Sequence, residues 1–196
     1  MRFDLALIQD WIAPSARVLD LGCGDGTLLA ALRDNKQIDG LGVEIDAHDI
    51  TRCIARGINV IEQDLNSSLE NFRDASFDVV VMTLALQALQ YPHRVLDEML
   101  RIGSEGIVTF PNFGHWRARN YLVTRGRMPV SKFLPYTWYD TPNIHFCTVQ
   151  DFEALCAEKN IRILDRAMIG GSDNRGTLAR LWPNLFAVTA VYHIGR

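Results

Sequence analysis

The sequence predicts an α/β domain built on a doubly wound, mostly parallel β-sheet. Short apolar segments alternate with amphipathic segments of helical period up to about residue 110, which is the order of successive βαβ units. The segment 77–82 is apolar apart from Asp78, as in a strand that helices cover on both faces. A length of 196 residues suits a single domain, and we expect that domain to span 1–196.

Local signals place the elements of the first half. Leu5, Ile8 and Trp11 recur at helical spacing, so a helix is predicted over 3–12. Asp46 suits a helix N-cap, and Pro92 suits the first position of a helix. The predicted strands are 17–21, 41–45, 59–61, 77–82 and 106–110, and the helices between them are 27–33, one from Asp46 to about 56, and 92–102.

The second half follows a different pattern. A helix is predicted over 113–124, followed by an irregular stretch over 127–147 that is rich in proline and aromatic residues. A second helix is expected over 148–159 with Thr148 as its N-cap. The segments 161–168 and 185–194 are expected to form an antiparallel pair at the sheet edge, joined by a loop that opens with Gly170-Gly171.

Composition excludes several classes of protein. The net charge is only −3, so no global field indicates nucleic acid or membrane, and no apolar run is long enough to span a bilayer. Four cysteines are scattered without a CxxC pair, which predicts neither a zinc site nor any other metal site. With an N-terminus unlike a signal peptide, we expect reduced thiols and a cytoplasmic protein.

A glycine-rich turn is the strongest motif, in the run Val18-Leu19-Asp20-Leu21-Gly22-Cys23-Gly24-Asp25-Gly26. It lies between the first strand and the next helix, where glycines let the backbone approach a ligand closely. Thr27 occupies the last glycine position of the dinucleotide fingerprint, so the spacing is G-x-G-x-G. S-adenosylmethionine (SAM) has a carboxylate and an ammonium but no pyrophosphate, and this turn can serve it.

Polar residues follow the neighbouring strands. We expect Glu44 to accept both ribose hydroxyls, Asp64 to accept from the adenine amino group, and Asp20 to face the ammonium through water. The segment Thr83-Leu84-Ala85 is expected to pass under the ligand. The residues expected to bind SAM or S-adenosylhomocysteine are Asp20, Gly22, Cys23, Gly24, Gly26, Glu44, Ile45, Asp64, Leu65 and Thr83.

These elements resemble those of class I SAM-dependent methyltransferases, over 17 to about 110. The resemblance implies a Rossmann-like doubly wound sheet of seven strands, in the order 3-2-1-4-5-7-6, with strand 7 antiparallel and helices on both faces.

A second resemblance covers essentially the whole chain. The segments Phe110-Pro111-Asn112-Phe113-Gly114-His115-Trp116, Gly126-Arg127-Met128-Pro129-Val130 and 134–145 are similar to the MetW family of methionine-biosynthesis proteins. This resemblance implies that 111–147 is an inserted lid or partner segment. It also implies support or regulation of a homoserine O-acyltransferase (MetX) as partner.

The alternative is a SAM-dependent methyltransferase that acts on a small molecule. Its candidate bases are His115, Tyr139 and His145, with Asp140 beside them. Other readings stay open, since His115 suits a helix cap and 139–142 suits a turn.

Arginines and aromatic residues interleave from Pro111 to Tyr139, with no Asp or Glu. This composition favours a protein interface over a substrate lid, and both over an RNA surface. The residues expected to meet a partner or substrate are Trp116, Arg117, Trp138, Tyr139 and Asp140. The sequence does not fix the oligomeric state.

Overall fold

The protein is described here by a computed structural model that covers residues 3–130, 134–142, 144–170 and 177–196. Its strands are β1 (Arg17–Leu21), β2 (Asp39–Glu44), β3 (Asn59–Glu62), β4 (Phe77–Thr83), β5 (Gly103–Pro111), β6 (Arg162–Ile169) and β7 (Thr189–Gly195). Its helices are α1 (Phe3–Trp11), α2 (Thr27–Lys36), α3 (Ala47–Ala55), α4 (Pro92–Ile102), α5 (Trp116–Arg125), α6 (Val149–Glu158), α7 (Thr177–Leu181) and α8 (Pro183–Phe186), with a 3-10 turn at Leu86–Ala88.

The sheet confirms the predicted topology. The seven strands lie in the order β3-β2-β1-β4-β5-β7-β6, and β7 runs antiparallel to both β5 and β6. The pairs β1–β2, β1–β4, β2–β3 and β4–β5 are parallel. Because parallel strands share a direction, the carboxyl ends of β1 to β5 meet at one edge, where such sheets bind ligands.

Predicted helix caps are confirmed at three positions. The Asp46 carboxylate accepts hydrogen bonds from the backbone N–H groups of His48 and Asp49, so it caps α3. Thr148 and Asp151 form a reciprocal capping box at the start of α6. Pro92 occupies the first turn of α4.

Several predicted boundaries are wrong. In the first half, β2 begins at Asp39, two residues before its predicted start, β5 begins at Gly103, three residues early, and α2 ends at Lys36, three residues late.

Two boundaries of the second half differ as well. The final strand does not begin at residue 185, because Pro183 starts the short helix α8 and the strand begins at Thr189. The helix predicted from residue 113 begins at Trp116, because the backbone of Phe113 bonds the Cys147 carbonyl instead of joining the helix. The predicted Gly170-Gly171 opening of the loop extends into residues outside the described range.

The core forms two layers, one on each face of the sheet. Alternate residues of β1 divide between them, since Leu19 packs in one cluster and Val18 in the other. The first layer includes stacked rings of Phe110, Phe152 and Tyr192, with the Phe110 and Tyr192 centroids 5.9 Å apart. Within the described residues, no helix has the length and apolar character needed to cross a membrane.

Candidate functional site at the carboxyl edge of the sheet

Four segments converge at the carboxyl edge, one after each of the strands β1 to β4. The N–H groups of Gly22 and Cys23 both donate to the Val43 carbonyl of β2, at 2.9 and 3.1 Å. A Cβ built on Gly22 would lie 3.1 Å from the Ala85 Cβ and 3.8 Å from a Leu65 methyl, which joins the segments after β4 and β3 to the same turn. The glycine turn is therefore the centre of the site.

Glu44 ties the end of β2 to the glycine turn. Its Oε2 accepts from the Gly24 N–H at 2.8 Å, while its Oε1 accepts from the N–H groups of Ile45 and Asp46 at 2.8 and 3.0 Å. The carboxylate is only partly buried. It thus organises the turn through backbone donors, in addition to the ribose contact that the sequence predicts.

The glycine turn leaves space for a ligand at Gly24. Gly22, Gly24 and Gly26 have φ values of +74°, +53° and +74°, a region that side chains rarely adopt. A Cβ built on Gly24 would meet nothing within 4 Å, whereas one on Gly26 would lie 2.9 Å from the Cys53 sulfur. The open side of the turn is therefore at Gly24, and the closed side faces α3.

Apolar side chains border this opening. Ile45, directly after Glu44, is 59% exposed, and Leu84, directly after β4, is 37% exposed. Leu84 has φ of +57°, and its N–H donates to the backbone and side-chain oxygens of Thr109, which hold it in that conformation. Open space at Gly24, an acidic side chain and exposed apolar groups suit a nucleoside with a charged amino-acid tail, so the residues present fit SAM.

The other predicted cofactor residues lie at the same edge. The Asp64 carboxylate is exposed and accepts from the backbone and side-chain N–H groups of Asn66, while Leu65 is 9% exposed. Thr83 ends β4 and is half-buried. Asp20 is 1% exposed. The pKa of the neighbouring Cys23 thiol is raised, first because the thiol is buried and second because the Asp20 charge is close to it. The individual cofactor roles remain predictions.

Asp25 has a role that the sequence reasoning missed. The Asp25 carboxylate lies 2.7 Å from the guanidinium of Arg52, in α3, and 2.8 Å from that of Arg56, the C-cap of α3. It also accepts hydrogen bonds from the backbone N–H and the hydroxyl of Thr27. Burial alone would raise the pKa of Asp25, but the hydrogen bonds from Thr27 and Arg56 outweigh it and lower the pKa to about 2. Its charge fastens the glycine turn to α3.

Asn112 and Gln87 are further buried polar residues that no sequence motif indicated. The Asn112 amide donates to the carbonyl of Ala187 at 2.8 Å and accepts from the N–H of Gly114 at 3.0 Å. Gln87 follows β4, donates to the Pro111 carbonyl at 3.0 Å, and accepts through its own carbonyl from the N–H of His145. Both residues fix the 111–147 segment to the sheet.

The structure separates the three candidate bases. His115 is the N-cap of α5, with its Nδ1 accepting from the Arg117 N–H at 3.2 Å, and burial, then the Arg117 charge, lowers its pKa. Tyr139 is 75% exposed and packs edge-on against Trp138. His145 is exposed and its Nε2 lies 3.3 Å from the Gln90 carbonyl, beside the turn after β4. The three side chains therefore lie at different places: His115 at the start of α5, Tyr139 beside Trp138, and His145 beside Gln90.

The tautomers distinguish the two histidines. A neutral His115 whose Nδ1 accepts carries its proton on Nε2, so the ring has no lone pair to offer as a base. A carbonyl oxygen only accepts, so the contact of His145 places the proton on Nε2 and leaves the lone pair on Nδ1. Of these two, His145 is the one suited to accept a proton.

The predicted partner residues lie at the surface. Trp138 is 73% exposed, Trp116 is 41% exposed, and Arg117 lies over the Trp116 ring at 5.4 Å from its centroid. A turn lies at Thr137–Asp140, where the Asp140 N–H donates to the Thr137 carbonyl at 3.2 Å, so it comes two residues earlier than the turn predicted over 139–142. None of the residues of α5 is buried, and Val123 is 84% exposed.

Three residues at the start of α3 have the spacing of metal ligands. Asp46, His48 and Asp49 each offer a ligand atom within 4.8 Å of the others. Both Asp46 and His48 are exposed, and Asp46 serves as the cap of α3. The expectation that the protein holds no metal stays a prediction.

Comparison with known proteins relates the sequence to methionine biosynthesis proteins. The family model described as Methionine biosynthesis protein MetW matches residues 2–194. The chain is 36% identical over 200 residues to the bifunctional methionine biosynthesis protein MetXA/MetW of Rhodopirellula baltica, covering 97% of this chain and 32% of that protein. The chain therefore spans about a third of the length of this curated relative.

Solved structures show the fold. An S-adenosylmethionine-dependent methyltransferase from Mesorhizobium loti has a TM-score of 0.72 at 16% identity, covering 99% of this chain and 98% of that one. A Haloferax volcanii methyltransferase complex with the Trm112 activator gives a TM-score of 0.70 at 16% identity, covering 99% and 89%. The fold is that of SAM-dependent methyltransferases.

Proposed function

The chain belongs to the MetW family of methionine biosynthesis proteins, and we propose that it binds SAM or S-adenosylhomocysteine and supports or regulates a homoserine O-acyltransferase (MetX). SAM binding is proposed at the carboxyl edge of the sheet, and acyltransferase binding at the exposed aromatic side chains Trp116, Trp138 and Tyr139 of the 111–147 segment. The observation that supports the cofactor is the open space at Gly24 beside the Glu44 carboxylate. When bound, SAM supplies an activated methyl group or acts as a sensed metabolite.

The cofactor proposal is tested by calorimetric titration with SAM and with S-adenosylhomocysteine. We expect micromolar binding that is lost in Glu44→Ala, because that change removes the predicted ribose acceptor and releases the Gly24 N–H. Glu62→Ala is the matched control, since Glu62 is an exposed carboxylate opposite Glu44 on the next strand. No binding by the unaltered protein would contradict the proposal.

Gly24→Val tests the same site by filling it. The substitution places a branched side chain in the open space and at a φ of +53°. Gly126→Val is the control for backbone strain, since Gly126 has φ of +60° and also meets nothing within 4 Å, at the end of α5. Loss of binding in the first variant alone supports the site, and equal loss in both variants overturns it.

The partner proposal is supported by two observations. The relative's name joins MetXA and MetW in one bifunctional protein. Trp138 and Tyr139 are about three-quarters exposed at 73% and 75%, and large exposed aromatic side chains are typical of the centres of protein interfaces. A protein that senses SAM, which is made from methionine, would then act on the acyltransferase, an early step of methionine synthesis. We place this action in the cytoplasm, where free thiols such as those of this protein persist.

The partner is tested by copurification with the homoserine O-acyltransferase of the same organism and by assay of that enzyme's activity. We expect association and a change in activity, both weakened at least ten-fold by Trp138→Ala, since hot-spot truncation costs about 2 kcal/mol or more. Tyr91→Ala is the control, because Tyr91 is 48% exposed at the start of α4. Absence of both association and effect would contradict the proposal.

A second candidate function, methyl transfer to a small molecule, is favoured by His145. Its Nε2 lies 3.3 Å from the Gln90 carbonyl, which leaves the Nδ1 lone pair to accept the proton of a hydroxyl or amine nucleophile. Turnover of SAM to S-adenosylhomocysteine with a metabolite panel, lost in His145→Ala and weakened in Tyr139→Phe, would support this function. No turnover with the whole panel would contradict it.

A further inference from the structure

A cavity of about 230 Å³ lies beside α5, and the proposed function assigns it no ligand. Its floor is the end of β5 and the residue before β7, and its far wall is the chain that follows α5. We call it the α5 cavity, and its lining residues are Pro111, Asn112, His115, Arg117, Ala118, Tyr121, Pro129, Val130, Leu134 and Val188.

Most of this lining is apolar. Side chains of alanine, valine, leucine and proline cover the floor and the far wall. Asn112 is 4% exposed, and its amide is engaged with backbone groups of α8 and of the first residue of α6. The interior therefore suits the hydrocarbon part of a ligand.

The remaining polar groups of the lining are hydrogen-bond donors. His115 accepts through Nδ1, so its neutral ring presents an N–H at Nε2. Arg117 also lines the cavity, with its guanidinium over the Trp116 ring at 5.4 Å from the centroid, and Tyr121 adds a phenol side chain. No described lining residue is acidic, and the sequence has no Asp or Glu from Pro111 to Tyr139.

We infer that the α5 cavity binds a small organic anion with a short apolar body, its anionic group at Arg117 and His115. A carboxylate fits a planar guanidinium with two parallel hydrogen bonds. A cation in this cavity would meet the Arg117 charge without a compensating acid, and a neutral ligand could accept a hydrogen bond from Arg117 but would form no ion pair with it. This inference does not depend on the SAM site, and the cavity lies within the 111–147 segment that is proposed to meet the acyltransferase.

The test compares three probes that share one hydrocarbon chain: hexanoate, 1-hexanol and hexylamine. Binding to the full chain is followed by methyl NMR, with the signals of Ala118, Leu134 and Val188 as reporters of the cavity. We expect hexanoate to bind roughly ten-fold more tightly than hexanol, with hexylamine weakest. Equal binding of the three probes, or no saturable binding of hexanoate at millimolar concentration, would overturn the inference.

Variants separate the charge from the cavity. Arg117→Gln is expected to weaken hexanoate about ten-fold and leave hexanol unchanged, whereas Arg73→Gln, an exposed arginine between β3 and β4, changes neither. Ala118→Leu and Val130→Phe fill the cavity and are expected to abolish binding of both probes. Val130 is 50% exposed, so its enlargement leaves the fold intact.

Competition locates the probe relative to the SAM site. Added S-adenosylhomocysteine is expected to leave hexanoate binding unchanged. Displacement of hexanoate by S-adenosylhomocysteine would place the probe at the glycine turn and overturn the inference. So would binding that persists in both cavity-filling variants.

Discussion

Asn112 shows how one side chain connects three segments that are distant in sequence. Its amide N–H₂ donates to carbonyls of Asn184 and Ala187, and its oxygen accepts from the N–H groups of Gly114 and Val149. The residue is 4% exposed, so water cannot replace these bonds. The start of the 111–147 segment, α6 and the entry to β7 therefore depend on it.

We predict that Asn112→Ala lowers the free energy of unfolding by about 3 kcal/mol, because it leaves several buried backbone groups without partners. The measurement is urea unfolding followed by circular dichroism. Asn71→Ala is the control, since Asn71 is exposed and its amide bonds only Gln63, and we expect a change within about 0.5 kcal/mol. Equal effects of the two substitutions would show that the Asn112 bonds contribute little.

The four cysteines provide a second prediction at this scale. Burial raises the pKa of all four thiols, to about 12 for Cys147 and about 11 for Cys156. Because the thiolate is the reactive form, we expect negligible reaction with a disulfide reagent at pH 8 in the folded protein, and four reacting thiols in guanidinium chloride. A rapid stoichiometric reaction in the folded protein would contradict this.

At the scale of elements, α3 and the glycine turn are joined by charge. Asp25 receives Arg52 and Arg56, while the Cys53 thiol of α3 donates to the Gly24 carbonyl at 3.1 Å. The sulfur atoms of Cys23 and Cys53 lie 3.8 Å apart behind the turn. The position of α3 therefore sets the shape of the turn.

This junction predicts a dependence on pH. The Asp25 carboxyl has a pKa lowered to about 2 in the folded protein, so its stabilising contribution is present above its ordinary pKa near 4 and is lost as the pH falls toward 2. We expect Asp25→Asn to be less stable than the unaltered protein at pH 6, with the difference shrinking as the pH falls from 4 to 2. Urea unfolding across this range measures it, and a difference that stays constant would contradict it.

Local signals explain which elements the sequence could predict. Pro92 at the first turn of α4 and Asp46 at the cap of α3 act within a few residues, so these helix starts were predicted correctly. The start of β7 was not, because the apolar run from Leu185 continues through the α8 helix into the strand without a change in hydrophobicity. Short apolar runs suit helix and strand equally.

The candidate site also contains residues that the sequence could predict and residues that it could not. Glycine spacing and the acidic residue at the end of β2 indicated the turn and Glu44, because the positions of parallel strand ends follow from the order of elements. The pairing of Asp25 with Arg52 spans 27 residues and could not be inferred, since many such pairs of opposite charge exist in any sequence. The same holds for Asn112 and its partners in α8.

Across the whole molecule, the proposed SAM site and the exposed aromatic side chains follow different strands of the sheet. The proposed SAM site follows β1 to β4, and the exposed aromatic segment follows β5, on the side of the sheet that β7 and β6 complete. Gln87 connects them, because its side-chain amide donates to the Pro111 carbonyl and its backbone carbonyl accepts from the N–H groups of Ile144 and His145. The proposed cofactor and partner sites therefore consist of different side chains on one sheet.

This separation predicts that the two proposed activities can be removed independently. We expect Glu44→Ala to abolish binding of S-adenosylhomocysteine while the protein still copurifies with the acyltransferase, since the described bonds of the Glu44 carboxylate are to backbone N–H groups of Gly24, Ile45 and Asp46. Trp138→Ala is expected to do the reverse, since the 73% exposed ring packs beside Tyr139 in the 111–147 segment. Calorimetry and copurification measure the two properties on the same preparations, with circular dichroism to verify folding. If Glu44→Ala abolished both while remaining folded, partner binding would require the occupied cofactor site, and the surfaces would be coupled through the Gln87 contact instead of independent.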